Sequence, residues 1–321
     1  MTRAFWVVLM ASVVLILAML LALTFGAVDL DWRALIDGDP TLRSILFDLR
    51  LPRVLLAAVV GAALAASGLA FQTLLRNALA DPFILGVSGG AACGAAVATA
   101  FGLARLPGVI PAVAFMGACG ATAAVFVLSR RRDRVDPARL LLSGLVLNAL
   151  FSAIILIAFS LSRSSDLTAA LRWMMGSLDG ANWERVALTT VLLFMALGVL
   201  AWNANDLRLL AFGEDDARSR GVDVERVKFA GFAAASIVTG AAVAVSGIIG
   251  FIGLLVPHLV RLAWKRDFRL LLPTTAIAGA TLLVLADLLA RTAAPPSELP
   301  VGAFTALLGV PFFLSLLRRQ R

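Results

Sequence analysis

Charged side chains are scarce in this chain. Of its 321 residues only 15% are Asp, Glu, Lys or Arg, while 61% are hydrophobic, whereas roughly a quarter of the residues in a typical soluble domain are charged. The mean hydropathy is +0.96. This composition excludes an ordinary soluble domain.

Residues that commonly bind metals or act as nucleophiles are also few. The chain has one histidine, His258, and two cysteines, Cys93 and Cys119, which both fall inside apolar runs. Such cysteines usually serve as small packing residues, and His258 has no thiol or carboxylate placed near it in the sequence to complete a metal site. A phosphate-binding loop of the form GxxxxGK[ST] is absent, so we expect no ATP site, no bound cofactor and no enzyme activity in this chain.

Long apolar runs fill the chain instead. Crossing the roughly 30 Å hydrocarbon core of a membrane takes about 20 helical residues, and the runs lack the alternating polarity of membrane β-strands. The long run 229–256 contains Gly247, Gly250 and Gly253 and is followed by Pro257, so we assign two spans to it. The sequence therefore predicts an all-α polytopic membrane protein, a single transmembrane domain over 1–321 with about ten helices, at 5–28, 54–75, 83–104, 109–128, 140–161, 186–202, 228–247, 249–264, 270–286 and 301–317.

The distribution of positive charge predicts the orientation. If both termini are cytoplasmic, 19 of the 28 Lys and Arg residues lie on the cytoplasmic side and 9 on the other, and an excess of these residues marks the cytoplasmic face. The net charge of +8 is mostly this asymmetry, so nucleic acid is not an expected partner. We expect extracytoplasmic segments at about 29–50, 163–185 and 291–300, the second with a short interfacial helix. The run 5–28 is predicted to be a retained span, because it is long for a signal peptide and lacks a clear cleavage site.

Two similar octapeptides lie about five spans apart. Residues 61–68 read GAALAASG and residues 240–247 read GAAVAVSG, with six identities in eight. An odd number of spans would invert the second copy in the membrane, as in the inverted repeats of many transporters, here relating spans 2–5 to spans 7–10. The alternative is that both segments are simply small residues that let helices approach closely.

One compact charged segment interrupts the apolar sequence. From Glu214 to Lys228 it holds five acidic and four basic residues. Gly213 is placed to precede a short helix, the acids at 214–216 fall at the positive end of the helix dipole, and Gly221 can end the helix. We predict a rigid elbow of two helices at about 211–226 on the cytoplasmic face. An ordinary solvated loop is the alternative that composition leaves open.

Six ordered blocks of sequence resemble one family along nearly the whole chain. They are LRLPRVLLAAVVGAALAASGLAFQTLLRNALADPFILGVSGGA (49–91), LLLSGLVLNAL (140–150), WMMGSLDGANW (173–183), GEDDARSRGV (213–222), SGIIGFIGLLVPHLVRL (246–262) and ADLLARTAAPPSELPVGAFTALLGVPFFLSLL (286–317). The chain is similar to the membrane-spanning permease subunits of ABC importers for iron-siderophores, haem and vitamin B12. The resemblance implies a homodimer of two such chains, two separate ATPase subunits that bind ATP and Mg, a periplasmic binding protein, and alternating access in a bacterial inner membrane. It does not identify the chelate, although an iron-siderophore or haem is preferred over vitamin B12.

The resemblance also implies roles for individual residues. The residues expected to contact the ATPase are Gly213, Glu214, Asp215, Asp216, Ala217, Arg218 and Gly221; those expected to dock the binding protein are Arg50, Arg53 and Arg291; and a cytoplasmic gate is expected at Asn77 and Leu79. From the residues alone, the arginines could equally snorkel at the ends of their spans, and Asn77 could simply cap a tight turn. A second gate around 136–138 does not transfer cleanly, because Asp136, Pro137 and Ala138 are not the small hydroxyl residues typical of that position.

Two other functions compete with this hypothesis. Residues 86–90 read GVSGG, which fits GxSxG formally, and His258 could serve as a base in an intramembrane serine protease. An ion-coupled secondary transporter is the other competitor, but that class tends to place ionisable groups at mid-membrane. Here the clearly polar residues within spans are few, chiefly Gln72 and Asn148.

Overall fold

The computed structural model describes residues 2–26, 39–103, 106, 108–131, 134–264, 268–294 and 297–319. Within these ranges the helices in chain order are α1 (Thr2–Thr24), α2 (Pro40–Ser44) followed directly by a π-helix (Ile45–Arg50), α3 (Leu51–Leu74), α4 (Val87–Ala100), α5 (Val109–Ser129), α6 (Pro137–Leu161), α7 (Ser164–Met174), α8 (Trp183–Trp202), α9 (Ala204–Phe212), α10 (Glu214–Ser219), α11 (Val224–Ser246), α12 (Ile252–Ala263), α13 (Phe268–Thr292) and α14 (Val301–Arg319). A short antiparallel ladder of β1 (Arg130–Arg131) and β2 (Arg134–Val135) joins α5 to α6.

The ten predicted spans each coincide with a helix. These helices are α1, α3, α4, α5, α6, α8, α11, α12, α13 and α14. In the described chain seven helices are long and apolar enough to cross a membrane, and the shorter apolar helices are Val87–Ala100, Ile252–Ala263 and Val301–Leu314. The prediction of an all-α polytopic membrane protein with about ten spans is confirmed.

Helix boundaries differ from the prediction at two places. The expected outer segment 29–50 falls partly on residues 27–38, which lie outside the described residues, and its remaining part is helical, so that one helix runs over Pro40–Leu74. The run 229–256 does divide in two, but between Gly247 and Phe251, which both adopt positive φ. Gly253 and Pro257 were expected to mark the break and instead lie inside α12.

A side chain from a neighbouring helix explains how α12 accommodates its internal proline. Pro257 has no N–H to donate to the carbonyl four residues earlier, at Gly253. The side chain of Gln72 supplies a donor there, since its Nε2 lies 3.3 Å from the Gly253 carbonyl oxygen. A polar residue in the last turn of α3 therefore replaces the missing helical bond of α12.

Helix α3 lies at the centre of the bundle. Its apolar window is 89% buried, against 17% for α1 and 11% for α6, and it packs against α1, α8, α11, α12 and α13. Because lipid is as apolar as a protein core, close packing between membrane helices depends on small residues. Gly61 meets the backbone of Gly279, and Gly68 meets the backbone of Gly253, so closely that a Cβ at either position would clash. The close-approach interpretation of GAALAASG is thus confirmed, while the inverted repeat stays a prediction.

Candidate functional site

The two-helix elbow predicted at about 211–226 forms between the glycines that were expected to bound its first helix. Helix α10 follows Gly213, whose φ of 155° and ψ of 150° lie in a region open essentially to glycine. At its other end Gly221 has a φ of 83°, and the Val222 N–H donates to the Ala217 carbonyl at 3.1 Å, as is typical of helices that end on glycine. Asp223 then caps α11 by accepting a bond from the Arg226 N–H at 3.1 Å. The alternative of an irregular loop is wrong.

Ion pairs and burial make the elbow stiff. Arg218 Nη2 lies 3.1 Å from Glu214 Oε2 in the same helix and 3.5 Å from Glu225 Oε1 in α11. Ala217 is completely buried between them. The outward side of the elbow is different, since the Asp215 side chain is fully exposed and the Phe212 ring is largely exposed. The elbow therefore combines a fixed inner face with an acidic and aromatic outer face.

The turn between α3 and α4 contains Asn77 and Leu79, the two residues expected to form a gate. Asn77 Oδ1 accepts a hydrogen bond from the Leu79 N–H at 2.9 Å, so Asn77 caps the turn, as the local sequence allowed. The Leu79 side chain is 54% exposed. Leu79 thus lies exposed on a turn that the side chain of Asn77 stabilises.

The same turn contains a buried carboxylate that the sequence analysis did not single out. Asp81 is 7% exposed, and its Oδ1 accepts a bond from the Phe83 N–H at 2.8 Å. Burial raises the pKa of Asp81 to about 6, although the bond from Phe83 opposes the shift. An acid directly before Pro82 and next to the apolar run from Phe83 was the available signal.

The segment 136–138 starts helix α6. Asp136 Oδ1 accepts bonds from the Ala138 N–H at 2.9 Å and the Arg139 N–H at 3.4 Å, and Pro137 occupies the first turn, where its missing N–H costs nothing. These residues form the N-terminal cap of α6, and capping alone explains why Asp and Pro occur here.

The three arginines expected on the outer face, Arg50, Arg53 and Arg291, line one cavity and are called the outer cluster. Two of them, Arg53 and Arg291, share one buried acid, Asp287. Arg53 Nη2 lies 3.0 Å from Asp287 Oδ1, and Arg291 Nε lies 3.0 Å from Asp287 Oδ2. Arg50 donates to the Leu23 carbonyl at 2.9 Å. Arg50 and Arg291 are only 6% and 4% exposed, so snorkelling into water is wrong for both.

Two further acids complete this outer cluster. Arg53 Nη1 lies 3.1 Å from Asp179 Oδ1 and 2.9 Å from Glu298 Oε2. Burial and a hydrogen bond with Asp179 raise the pKa of Glu298. The pKa of Asp179 lies below its ordinary value. Burial alone would raise this pKa, but hydrogen bonds with Glu298 and Ser177 and the charge of Arg53 lower it. The cluster lines an open cavity of about 880 Å³. Sequence reasoning missed both acids, since neither lies near an arginine partner along the chain.

Polar side chains within the spans bind backbone carbonyls and one another. Gln72 Nε2 reaches the Gly253 and Leu254 carbonyls at 3.3 Å each, and Gln72 Oε1 accepts from Arg261 at 2.8 Å. Asn148 donates to the Phe83 carbonyl at 2.9 Å. Both candidate polar residues thus hold helices together, which disfavours an ion-coupled pathway built on them.

The residues proposed for a serine protease do not form its machinery. Ser88 is buried in the first turn of α4, after a turn rather than a strand, so it lacks the strand–turn–helix setting of a nucleophile elbow. His258 packs edge-on against Phe312 and Phe313, at centroid distances of 5.9 and 6.2 Å. Among the described residues no group of three or more His, Cys, Asp or Glu side chains could hold a metal ion.

Known proteins match this chain along almost its full length. The profile of the FecCD transport family matches residues 14–319. The hemin transport system permease protein HmuU of Yersinia pestis is 44% identical over 324 residues, covering 98% of this chain and 96% of that protein. The vitamin B12 import system permease protein BtuC of Vibrio cholerae is 42% identical over 285 residues, covering 87% and 84%. A solved structure described as an inward-facing metal-chelate type ABC transporter superposes with a TM-score of 0.88 at 31% identity, covering 97% of this chain and 98% of that one.

Proposed function

The chain belongs to the FecCD transport family, and from this premise we propose that it carries a metal chelate into the cytoplasm. It is a multi-pass membrane permease subunit of an ABC importer. We take the cargo class from the relatives, which are named for hemin and vitamin B12, and we favour an iron-siderophore or haem over cobalamin. The two amide side chains of the spans, Gln72 and Asn148, are engaged with backbone carbonyls, so they offer the cargo few free polar groups, and we expect selectivity to fall to a binding protein.

The observation that carries the proposal is the elbow. A capped helix with exposed acids projects from a chain that has no phosphate-binding loop, and it is continuous with the buried helix α11. We assign the ATPase contact to Gly213, Glu214, Asp215, Asp216, Ala217, Arg218 and Gly221. ATP and Mg bind in two partner ATPase subunits, and their closure pushes α10 in each of two copies of this chain. The two copies then rock between outward and inward openings, in a bacterial inner membrane with both termini cytoplasmic.

The outer cluster is the proposed docking site of a periplasmic binding protein. Arg50, Arg53 and Arg291 lie together beside the open cavity, and Arg53 is the most accessible of them, with 13% of its side chain exposed. Arg53 is already paired with Asp179 and Glu298, which are 63% and 33% exposed. Acidic residues of a binding protein would therefore exchange with these two carboxylates rather than meet a free charge. On the cytoplasmic side the exposed Leu79, on the turn capped by Asn77, is the proposed gate.

Reconstitution tests the proposal directly. The chain is placed in liposomes with its cognate ATPase and binding protein, and haemin, a ferric hydroxamate chelate and cyanocobalamin are offered in turn. We expect one of the three to accumulate only when ATP, the ATPase and the binding protein are all present. Uphill accumulation by the chain alone would overturn the ABC mechanism. Coupled ATP hydrolysis with none of the three probes accumulated would overturn the cargo class alone.

A further inference from the structure

A buried lysine joins the elbow to a second cytoplasmic turn. Lys228 lies in the second turn of α11 and is 4% exposed. Its Nζ lies 2.7 Å from Glu214 Oε1 in α10 and donates to the Val135 carbonyl in β2 at 2.8 Å. One ammonium group therefore bonds to side chain and backbone in two elements outside its own helix.

Glu225 lies one turn earlier on α11 and binds the backbone N–H of Val135, the residue whose carbonyl accepts from Lys228. Its Oε2 accepts a hydrogen bond from the Val135 N–H at 3.0 Å, and its Oε1 lies 3.5 Å from Arg218 Nη2 and 3.8 Å from Lys228 Nζ. Both backbone polar groups of Val135 are thus bound by side chains of α11. The Val135 side chain is itself buried and so is Lys228, so the bond between them is shielded from water.

The position of Val135 gives the attachment its consequence. Val135 pairs with Arg130 in the β1–β2 ladder, directly after the end of α5, and it immediately precedes Asp136, the cap of α6. Along the chain, helix α10 lies between α9 and α11. It is distant in sequence from Val135 and is linked to it through side chains of α11. Motion of α10 reaches α5 and α6 at this point through the Glu214–Lys228–Val135 bonds and the bond from Val135 to Glu225.

We infer that Lys228 and Glu225 are positioning residues that transmit the displacement of α10 to Val135, in the β1–β2 ladder, and from there to α5 and α6. The inference rests on the proposed function, in which the ATPase pushes α10. Buried charges bonded on several sides resist rearrangement, because separating them leaves an unpaired charge away from water. A link of this kind moves as a unit instead of stretching.

The test measures motion directly in the complete complex. Spin labels are placed in pairs at three exposed positions, Ser219 on α10, Ala138 at the start of α6, and Leu262 at the end of α12, in a chain whose two cysteines are replaced by alanine. Distances are recorded with the ATPase bound, without nucleotide and with ATP trapped by vanadate. In the unmodified background we expect the 219–262 and 138–262 distances to change with nucleotide while the 219–138 distance stays constant.

Lys228→Met removes the link and keeps the length of the side chain. We expect the 219–262 change to persist, the 138–262 change to be lost, and the 219–138 distance to become dependent on nucleotide, with ATPase binding retained. Lys228→Arg, which keeps donors, should restore the 138–262 change. The exposed cytoplasmic Arg269→Met is the matched control and should behave like the background.

Glu225→Ala provides a second variant in case the buried methionine prevents folding. Glu225 is 30% exposed, and its loss should also weaken the 138–262 response while the 219–262 response remains. A full 138–262 response in either folded variant would overturn the inference alone. An unmodified complex in which 219–262 does not respond to nucleotide would overturn the proposed ATPase contact, and the inference with it.

Discussion

Removal of the Asp287 charge is the most direct test of the outer cluster. Asp287 is 1% exposed and lies 3.0 Å from both Arg53 Nη2 and Arg291 Nε. Asp287→Asn keeps the size of the side chain and leaves two guanidinium groups without their shared carboxylate. Breaking a buried ion pair from one side typically costs about 3–5 kcal/mol. Arg53 retains Asp179 and Glu298, so the loss falls mainly on Arg291, and we expect the lower end, about 3 kcal/mol.

The assay is the free energy of unfolding in mixed micelles, measured by SDS titration with tryptophan fluorescence. Glu184→Gln, at an exposed acid in the first turn of α8, is the matched control and should change stability by less than about 0.5 kcal/mol. Adding Arg291→Met to Asp287→Asn removes the orphaned charge and should recover much of the loss, since apolar replacement of a buried pair is often neutral. The reasoning fails if Asp287→Asn matches the control, or if the double variant is no more stable than Asp287→Asn.

Three further predictions concern the inner turn, the elbow and docking. Because the folded-state pKa of Asp81 is raised from 3.8 to about 6, protonation stabilises the fold fully below pH 3.8, and this contribution is lost as the pH rises through about 6. Asp81→Asn should therefore exceed the wild type in unfolding free energy at pH 8 by on the order of 3 kcal/mol, and the difference should close near pH 4; a difference independent of pH would contradict this. Replacing 214–218 by alanine should abolish copurification with the ATPase or uncouple ATP hydrolysis from uptake, and normal coupled uptake would refute the contact. Arg53→Gln should raise the Kd of the binding protein by at least about tenfold in surface-plasmon measurements with the basal ATPase rate unchanged, and an unchanged Kd would exclude Arg53 from docking.

Local sequence signals were sufficient for the spans and the elbow. A helix in lipid must satisfy its own backbone bonds, so a long apolar run determines a helix almost by itself. The elbow was equally local, because Gly213, Gly221 and Asp223 act on neighbouring residues through caps and positive φ. Neither feature requires knowledge of what lies elsewhere in the chain.

Burial of the spans could not be ranked from hydropathy. Helix α1 has a hydropathy of 2.9 and is 17% buried, whereas the helix containing α3 has 2.3 and is 89% buried. In water the more apolar helix would be the more buried one, but in lipid hydrophobicity does not distinguish the centre from the periphery. The informative difference was size, since α3 is rich in alanine and glycine and α1 in leucine.

The outer cluster was beyond sequence reasoning for a different reason. Arg53 meets Asp287 and Glu298 across 234 and 245 residues, and only the packing of α3 against α13 brings them together. A single sequence gives no measure of such pairings. The three arginines named from the resemblance do line one cavity, but the resemblance did not show that two of them are buried within the subunit.

The burial of Arg50 and Arg291 changes which arginine can dock a partner. The last four carbonyls of a helix lack partners within it, and here Arg50 donates to the Leu23 and Thr24 carbonyls and Arg291 to the Ala22 carbonyl, at 2.9, 3.2 and 3.1 Å. Both cations also lie at the negative end of the α1 dipole, where positive charge is stabilising. Pulling either one outward to meet a binding protein would expose these carbonyls again. Among the residues that the structure describes, Arg53 donates only to carboxylates, and two of these, Asp179 and Glu298, are partly exposed. Arg53 can therefore exchange one acid for another without disturbing a helix end, and docking should depend on Arg53 more than on its two neighbours.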